Sequence, residues 1–211
     1  MNITPQLLKA RAISVAIVDD AASLSTFRDP ACPAAIWRRQ TPPRVQSWID
    51  RQYPDTFPNG RIILRPDAVK QTIGHLCDMS GLPLGPERDW LETDITSLAE
   101  VFAVLISAEF LRMRLAVVTT NACRKFHIDA ITARLICTYR GTGTQYGIAA
   151  NGADPERVFT VQTGAPILLR GTQWPVQPPK GLMHRSPPIE GTGEARLVLV
   201  LDPVLDTDED I

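Results

Sequence analysis

The chain has almost no excess of either charge: Lys plus Arg total 22 against 23 for Asp plus Glu, a formal net charge of −1. That balance lacks the electrostatic footprint of a nucleic-acid or anionic-membrane binder, and points to a small-molecule or peptide substrate as partner. Long apolar runs are missing too. The stretch Ile13 to Val18 stops at Asp19 and Asp20, too short for a signal-peptide core or a membrane span, so the expected location is cytoplasmic. Cysteine is sparse and unclustered: Cys32, Cys77, Cys123 and Cys137 do not form the dense frame of a small disulfide-stapled domain, and reduced thiols are expected. Proline, in contrast, is plentiful. Eighteen residues, with pairs at Pro42-Pro43, Pro178-Pro179 and Pro187-Pro188, argue against a helical bundle and for strands joined by stiff loops.

At 211 residues with 44% hydrophobic content the chain can bury one sizeable core, so one compact unit is expected. Residues 1–110 read as mainly helical. The spacing of Ile95, Leu98, Phe102 and Leu105 predicts a helix from about Asp94 to Phe110, with Ser97 and Glu100 as its capping box. A second helix is signalled by Asp67 as N-cap, the apolar positions Val69, Ile73 and Leu76, and Gly81 as a stop. A third carries Val45, Trp48 and Ile49. From Leu111 the period falls to two, since Leu111, Met113, Leu115 and Val117 alternate with Arg112 and Arg114. Further strands are expected over Ile131 to Arg140, Arg157 to Gln162, Pro166 to Arg170 and Ala195 to Asp202. The last is apolar on both faces and so central. Helices followed by short strands give an α+β chain in which the helical half packs on a barrel or sandwich formed by residues 111–211.

The chain holds only three histidines, and two of them lie in the β half, at His127 in His127-Ile128-Asp129 and at His184. In extended backbone alternate side chains share a face, so His127 and Asp129 project together. A second imidazole from His184 completes two histidines and one carboxylate, which leave positions open on a metal ion. That facial set suits a non-haem iron(II) enzyme. Cys123 has the parity of His127 and is open to two readings: a fourth, thiolate ligand that would close a zinc site, or a small buried residue. The other cysteines are assigned to packing, and His75 to a structural or partly exposed position. Gly141-Thr142-Gly143-Thr144-Gln145-Tyr146-Gly147 lacks the spacing of a phosphate-binding loop and reads as a strand-joining turn. Trp174 to Met183 is either a lid or a stiff connection beside the site, and the acidic run Asp206 to Ile211 is expected to fray.

The order His-x-Asp, strands, then a distal His followed by Arg185 resembles the double-stranded β-helix of the iron(II)/2-oxoglutarate oxygenases, a jelly-roll or cupin-like barrel, over roughly residues 111–202. Ala165-Pro166-Ile167-Leu168-Leu169-Arg170-Gly171 is similar to the strand and turn before the family's distal His, and His184-Arg185-Ser186-Pro187-Pro188 continues the match. The resemblance implies that His127, Asp129 and His184 hold catalytic iron(II), that 2-oxoglutarate is the cosubstrate, and that Arg196 on the last strand pairs with its far carboxylate. It also allows Tyr139, which has the parity of His127, to face the pocket. The chain further resembles a bacterial family known only as a domain of unknown function, whose members often lie beside CobW-type metallochaperone GTPases; this implies a metal connection, with zinc as one choice. The rivals are a zinc-binding or metal-handling protein that adds Cys123 to the same ligands, a cupin-like metalloenzyme without 2-oxoglutarate, and a binding module that has lost catalysis.

Overall fold

In a computed structural model of the chain, the structure describes residues 14–149, 153–175 and 182–204. The first half contributes strands as well as helices. β1 (Ala16–Val18) and β2 (Ala34–Trp37) are too short to display an alternation, which is why the sequence pattern passes over them. α1 (Pro43–Arg51) opens on a proline whose fixed φ suits the first helical turn, and β3 (Gly60–Leu64) follows. α2 (Val69–Ser80) ends on Gly81 at φ 73°, as expected, but Asp67 lies in a short 3-10 turn ahead of it and caps nothing with its side chain. α3 (Pro86–Ile106) starts well before Asp94. Gly85-Pro86 with Glu87 and Asp89 in the first turn is the true start signal, and Ser97 and Glu100 sit inside the helix rather than forming a capping box. Its end is Ser107 at φ 57°, ahead of Phe110.

The second half gives β4 (Phe110–Val118), β5 (Ala133–Arg140), β6 (Gln145–Ile148), β7 (Phe159–Thr160), β8 (Pro166–Arg170), β9 (Leu182–Arg185) and β10 (Arg196–Val204). A seven-stranded sheet runs β1-β2-β8-β5-β10-β4-β3, and β7-β6-β9 form a three-stranded one. β10 is antiparallel to both β4 and β5, and its apolar character on two faces reflects a separate cluster packed against each. Its odd residues Leu197, Leu199 and Leu201 join the helices in one core, where Leu91, Ile95, Leu98, Phe102 and Leu105 of α3 are buried. Each such side chain contributes roughly 1.5 to 3 kcal/mol of burial. Its even residues Val198 and Val200 face a second apolar cluster with Ile136, Ile167, Leu169 and Leu182. The layers are therefore helices, large sheet and small sheet: an α+β fold with a double-stranded β-helix.

No helix among the described residues is long and apolar enough to cross a membrane. Most of the loop expected as a lid, the acidic run from Asp206, and Ile13 lie outside the described residues.

Candidate metal centre

Between the two sheets, on the even-numbered face of β10, lies a cavity of about 130 Å³ whose walls include His127, His184, Arg134 and Arg196. His184 stands on β9. His127 is not on a regular strand but forms an isolated bridge with it: each residue's amide donates to the other's carbonyl at 3.0 Å. That exchange sets the two imidazoles side by side, with ring centroids 4.5 Å apart. Asp129 follows in the bend beyond the bridge. Its carbonyl accepts the amide of Thr172 at 2.9 Å, and Gly171 presses on the same segment so closely that a Cβ there would lie 1.9 Å from the Ile131 carbonyl oxygen. The Arg170-Gly171 turn thus fixes the loop that carries the carboxylate.

The structure brings His127, Asp129 and His184 together. One ligand atom from each lies within 4.8 Å of the others, with His184 Nε2 3.1 Å from Asp129 Oδ2 and His127 Nε2 3.5 Å from Oδ1. Adjacent ligands of a single ion bound at about 2.1 Å stand about 3 Å apart, so the spacing fits a mononuclear site. The donor chemistry fits as well. Burial lowers the His184 pKa despite the neighbouring Asp129, which favours the neutral, ligating imidazole. His127 Nδ1 sits 2.8 Å from the Lys125 carbonyl oxygen, an arrangement that leaves Nε2 for the site. Burial pushes the Asp129 carboxyl up, but His184 and Arg134 outweigh it and hold it below its usual value. Its buried Oδ2 faces His184 Nε2 and an arginine, Arg134, without the alignment of a hydrogen bond to either, which leaves a lone pair for a cation.

Behind Asp129 stands a pair that sequence reasoning missed. Arg134 Nη1 is 2.8 Å from Asp129 Oδ2, while its Nε and Nη2 donate to the two Asp202 oxygens at 2.7 and 2.8 Å. Burial works against the Arg134 charge, but Asp202 and Asp129 prevail and raise its pKa. The available signal was an acid closing an otherwise apolar strand, with the parity of Arg196.

Arg196 enters the same cavity from the other end of β10 and is only 2% exposed. Nε donates to the Thr142 carbonyl at 2.6 Å and Nη2 to Thr138 Oγ1 at 3.3 Å. Gly141, at φ 77°, lets the turn close on this side chain: a Cβ there would sit 2.9 Å from Arg196 Cγ. Among the described residues no carboxylate pairs with this guanidinium, since the oxygens of nearby Glu194 serve the amide and hydroxyl of Thr142. Burial pulls its pKa down to about 10 despite Glu194, as befits a desolvated cation without an anion.

Two other positions differ from expectation. Tyr139 does not face the cavity: it is fully buried on the helical side, where its hydroxyl donates to Asp94 Oδ2 at 2.7 Å, and burial raises its pKa well above the usual value. The parity count from His127 fails because residues 128–132 are loop, and alternation is not transmitted through a bend. For the same reason Cys123 is neither buried nor among the converging ligand atoms. It is exposed in the loop before His127, lines the cavity, and accepts the Ser186 amide on its carbonyl at 3.0 Å. Cys32, Cys77 and Cys137 are buried free thiols, and His75 is exposed on α2.

A family model described as "Protein of unknown function (DUF1826)" matches residues 18–202. The chain belongs to this family. No curated protein matches it at a significant level. Among solved structures this DUF1826 chain is similar to the dioxygenase for auxin oxidation in rice, at 13% identity and a TM-score of 0.51, covering 92% of this chain and 84% of that one. It is also similar to dioxygenase for auxin oxidation 1 from Arabidopsis thaliana in its complex with 2-oxoglutarate, at 10% identity and a TM-score of 0.55, covering 94% and 95%. At these identities the likeness is one of fold.

Proposed function

We propose that this DUF1826 protein is a non-haem iron(II)/2-oxoglutarate-dependent oxygenase. The observation that carries the reading is Arg196: a buried guanidinium that among the described residues has no carboxylate partner, lining the same small cavity as His127 and His184 of a two-histidine, one-carboxylate ligand set. His127, Asp129 and His184 would hold the metal on one side and leave its remaining positions to cosubstrate and dioxygen. When bound, iron(II) with 2-oxoglutarate supplies the oxidising power for attack on a C–H bond. The protein's own part is positioning. Arg196, held by Thr142 and Thr138, offers a bidentate fork to the distal carboxylate, and Val198 and Ile136 supply apolar wall between that end and the ligand set. Arg134 steadies Asp129, while Asp202 neutralises the excess positive charge this brings.

The rival readings share the ligand set but give Arg196 nothing to bind. A zinc site closed by Cys123 has less support, because that thiol stands apart from the converged atoms. The test is anaerobic addition of 2-oxoglutarate to the iron(II)-loaded protein. A weak visible charge-transfer band should appear in the wild type and fail to develop at the same concentration in Arg196→Met; a band of equal strength in that variant contradicts the assignment.

A further inference from the structure

Of the four arginines in the cavity wall, the proposed oxygenase chemistry uses neither Arg185, which donates to Gln145 Oε1 at 2.8 Å, nor Arg114. Arg114 on β4 lies opposite Val200 of β10, and Arg196 lies four residues from Val200 on the same face. At about 3.3 Å per residue their strand positions are about 13 Å apart. Arg114 is exposed while lining the cavity. In the β3–β4 pairing it stands directly opposite Arg61, which is exposed as well. Like charges directly opposite one another destabilise a sheet. Among the described residues neither arginine has an ion pair or hydrogen bond. Among the described residues the charges on this face are Arg61, Arg112, Arg114, Arg134, Arg196 and Asp202: Arg112 is engaged with a neighbour, Arg134 and Asp202 hold one another, and Arg196 is held by Thr142 and Thr138. An uncompensated cross-strand arginine pair beside a cavity is an anion receptor in search of its anion.

We infer that the substrate carries an anionic headgroup, a carboxylate or a phosphate, which Arg114 and Arg61 bind at the mouth of the cavity while the rest of the molecule reaches towards the metal. The inference rests on the oxygenase reading for what happens to the substrate, but the anion site itself is testable without it. The manganese(II)-loaded full-length protein is titrated with phenyl phosphate, benzoate and, as the neutral control, benzyl alcohol, with paramagnetic broadening of the ring protons as the readout.

Both anions, or one of them, should be broadened at concentrations where the alcohol is not, and the tighter one names the headgroup. Arg114→Gln should lower the anion's affinity at least about tenfold, as expected for loss of a charge-assisted contact, and Arg61→Gln should lower it less. Neither side chain supports the fold and each variant relieves a like-charge pair, so both variants should melt at or slightly above the wild type. In Arg196→Met, whose cosubstrate end is disabled, the anion must still bind. Equal broadening by the alcohol, unchanged affinity in Arg114→Gln, or loss of the anion in Arg196→Met each overturns the inference. Absence of 2-oxoglutarate binding, measured separately, would remove the oxygenase reading and leave this result standing.

Discussion

Asp202 touches no proposed ligand position, yet its charge should govern metal affinity. Its oxygens hold Nε and Nη2 of Arg134, which leaves only Nη1 for Asp129, and the Asp202 side chain is 8% exposed. Asp202→Asn keeps the shape and removes the charge. Asp129 is then the only counter-charge left to the guanidinium, and an incoming cation must compete with Arg134 for it. Outer partners of metal ligands contribute about 10- to 100-fold in affinity, about 1.4 to 2.7 kcal/mol, and both the lost orientation and the new repulsion act in the same direction here. Stability falls too. Breaking a buried pair costs about 3 to 5 kcal/mol, and the low end applies because Nη1 keeps Asp129, so melting should drop by about 6 to 12 °C for a chain of this size. A chelator-competition titration with manganese(II) or zinc(II) measures the affinity. Arg134→Gln combined with Asp202→Asn removes both charges and should recover much of the loss, a coupling that a double-mutant cycle isolates. Wild-type affinity in Asp202→Asn, or a double variant no better than the single one, would refute the reasoning.

His184→Ala should lower metal affinity by more than the about 100-fold reached by outer partners, while circular dichroism shows the sheet intact; full stoichiometric metal would remove His184 from the site. Arg196→Met should weaken 2-oxoglutarate about 30- to 1000-fold at unchanged metal content, from about 2 to 4 kcal/mol for a partly buried bidentate pair, and Arg196→Lys should restore only part because an ammonium lacks the planar fork. Gly171→Ala forces the loop bearing Asp129 away from a 1.9 Å clash and should cost about 1 to 3 kcal/mol in a urea titration, with weaker metal binding alongside. Of the four free thiols, only exposed Cys123 should react quickly with a disulfide reagent in the native protein. Cys32, Cys77 and Cys137 are buried, and burial pushes the latter two up to about 12.

Elements that combine a long period with a punctuating residue were legible in the sequence. α2 with Gly81 and the apolar run of β10 are examples, because burial on one face or two writes itself into spacing. β1 and β2 were not, since three or four residues carry too little alternation and their place at the end of the sheet depends on β8, far away in the chain. The converging residues were legible for a chemical reason: imidazoles are scarce here, and two of the three stand where a ligand set needs them. The fate of Tyr139 and Cys123 shows the limit. Parity is a property of continuous strand, and loops on both sides of His127 erase it. The Arg134–Asp202 pair stayed hidden because it joins neighbouring strands through a register that the sequence does not state. Arg114 was visible only as the polar half of an alternation; the cross-strand pairing with Arg61 is what gives it meaning.

In the proposed oxygenase one cavity would bind a metal through His127, Asp129 and His184 and a dicarboxylate through Arg196. Calorimetric titration of the anaerobic, iron(II)-loaded wild type with 2-oxoglutarate tests it most directly. Saturable binding is expected at one site per chain, dependent on the metal and lost in Arg196→Met. No heat of binding at millimolar 2-oxoglutarate, in protein that retains its iron, would contradict it.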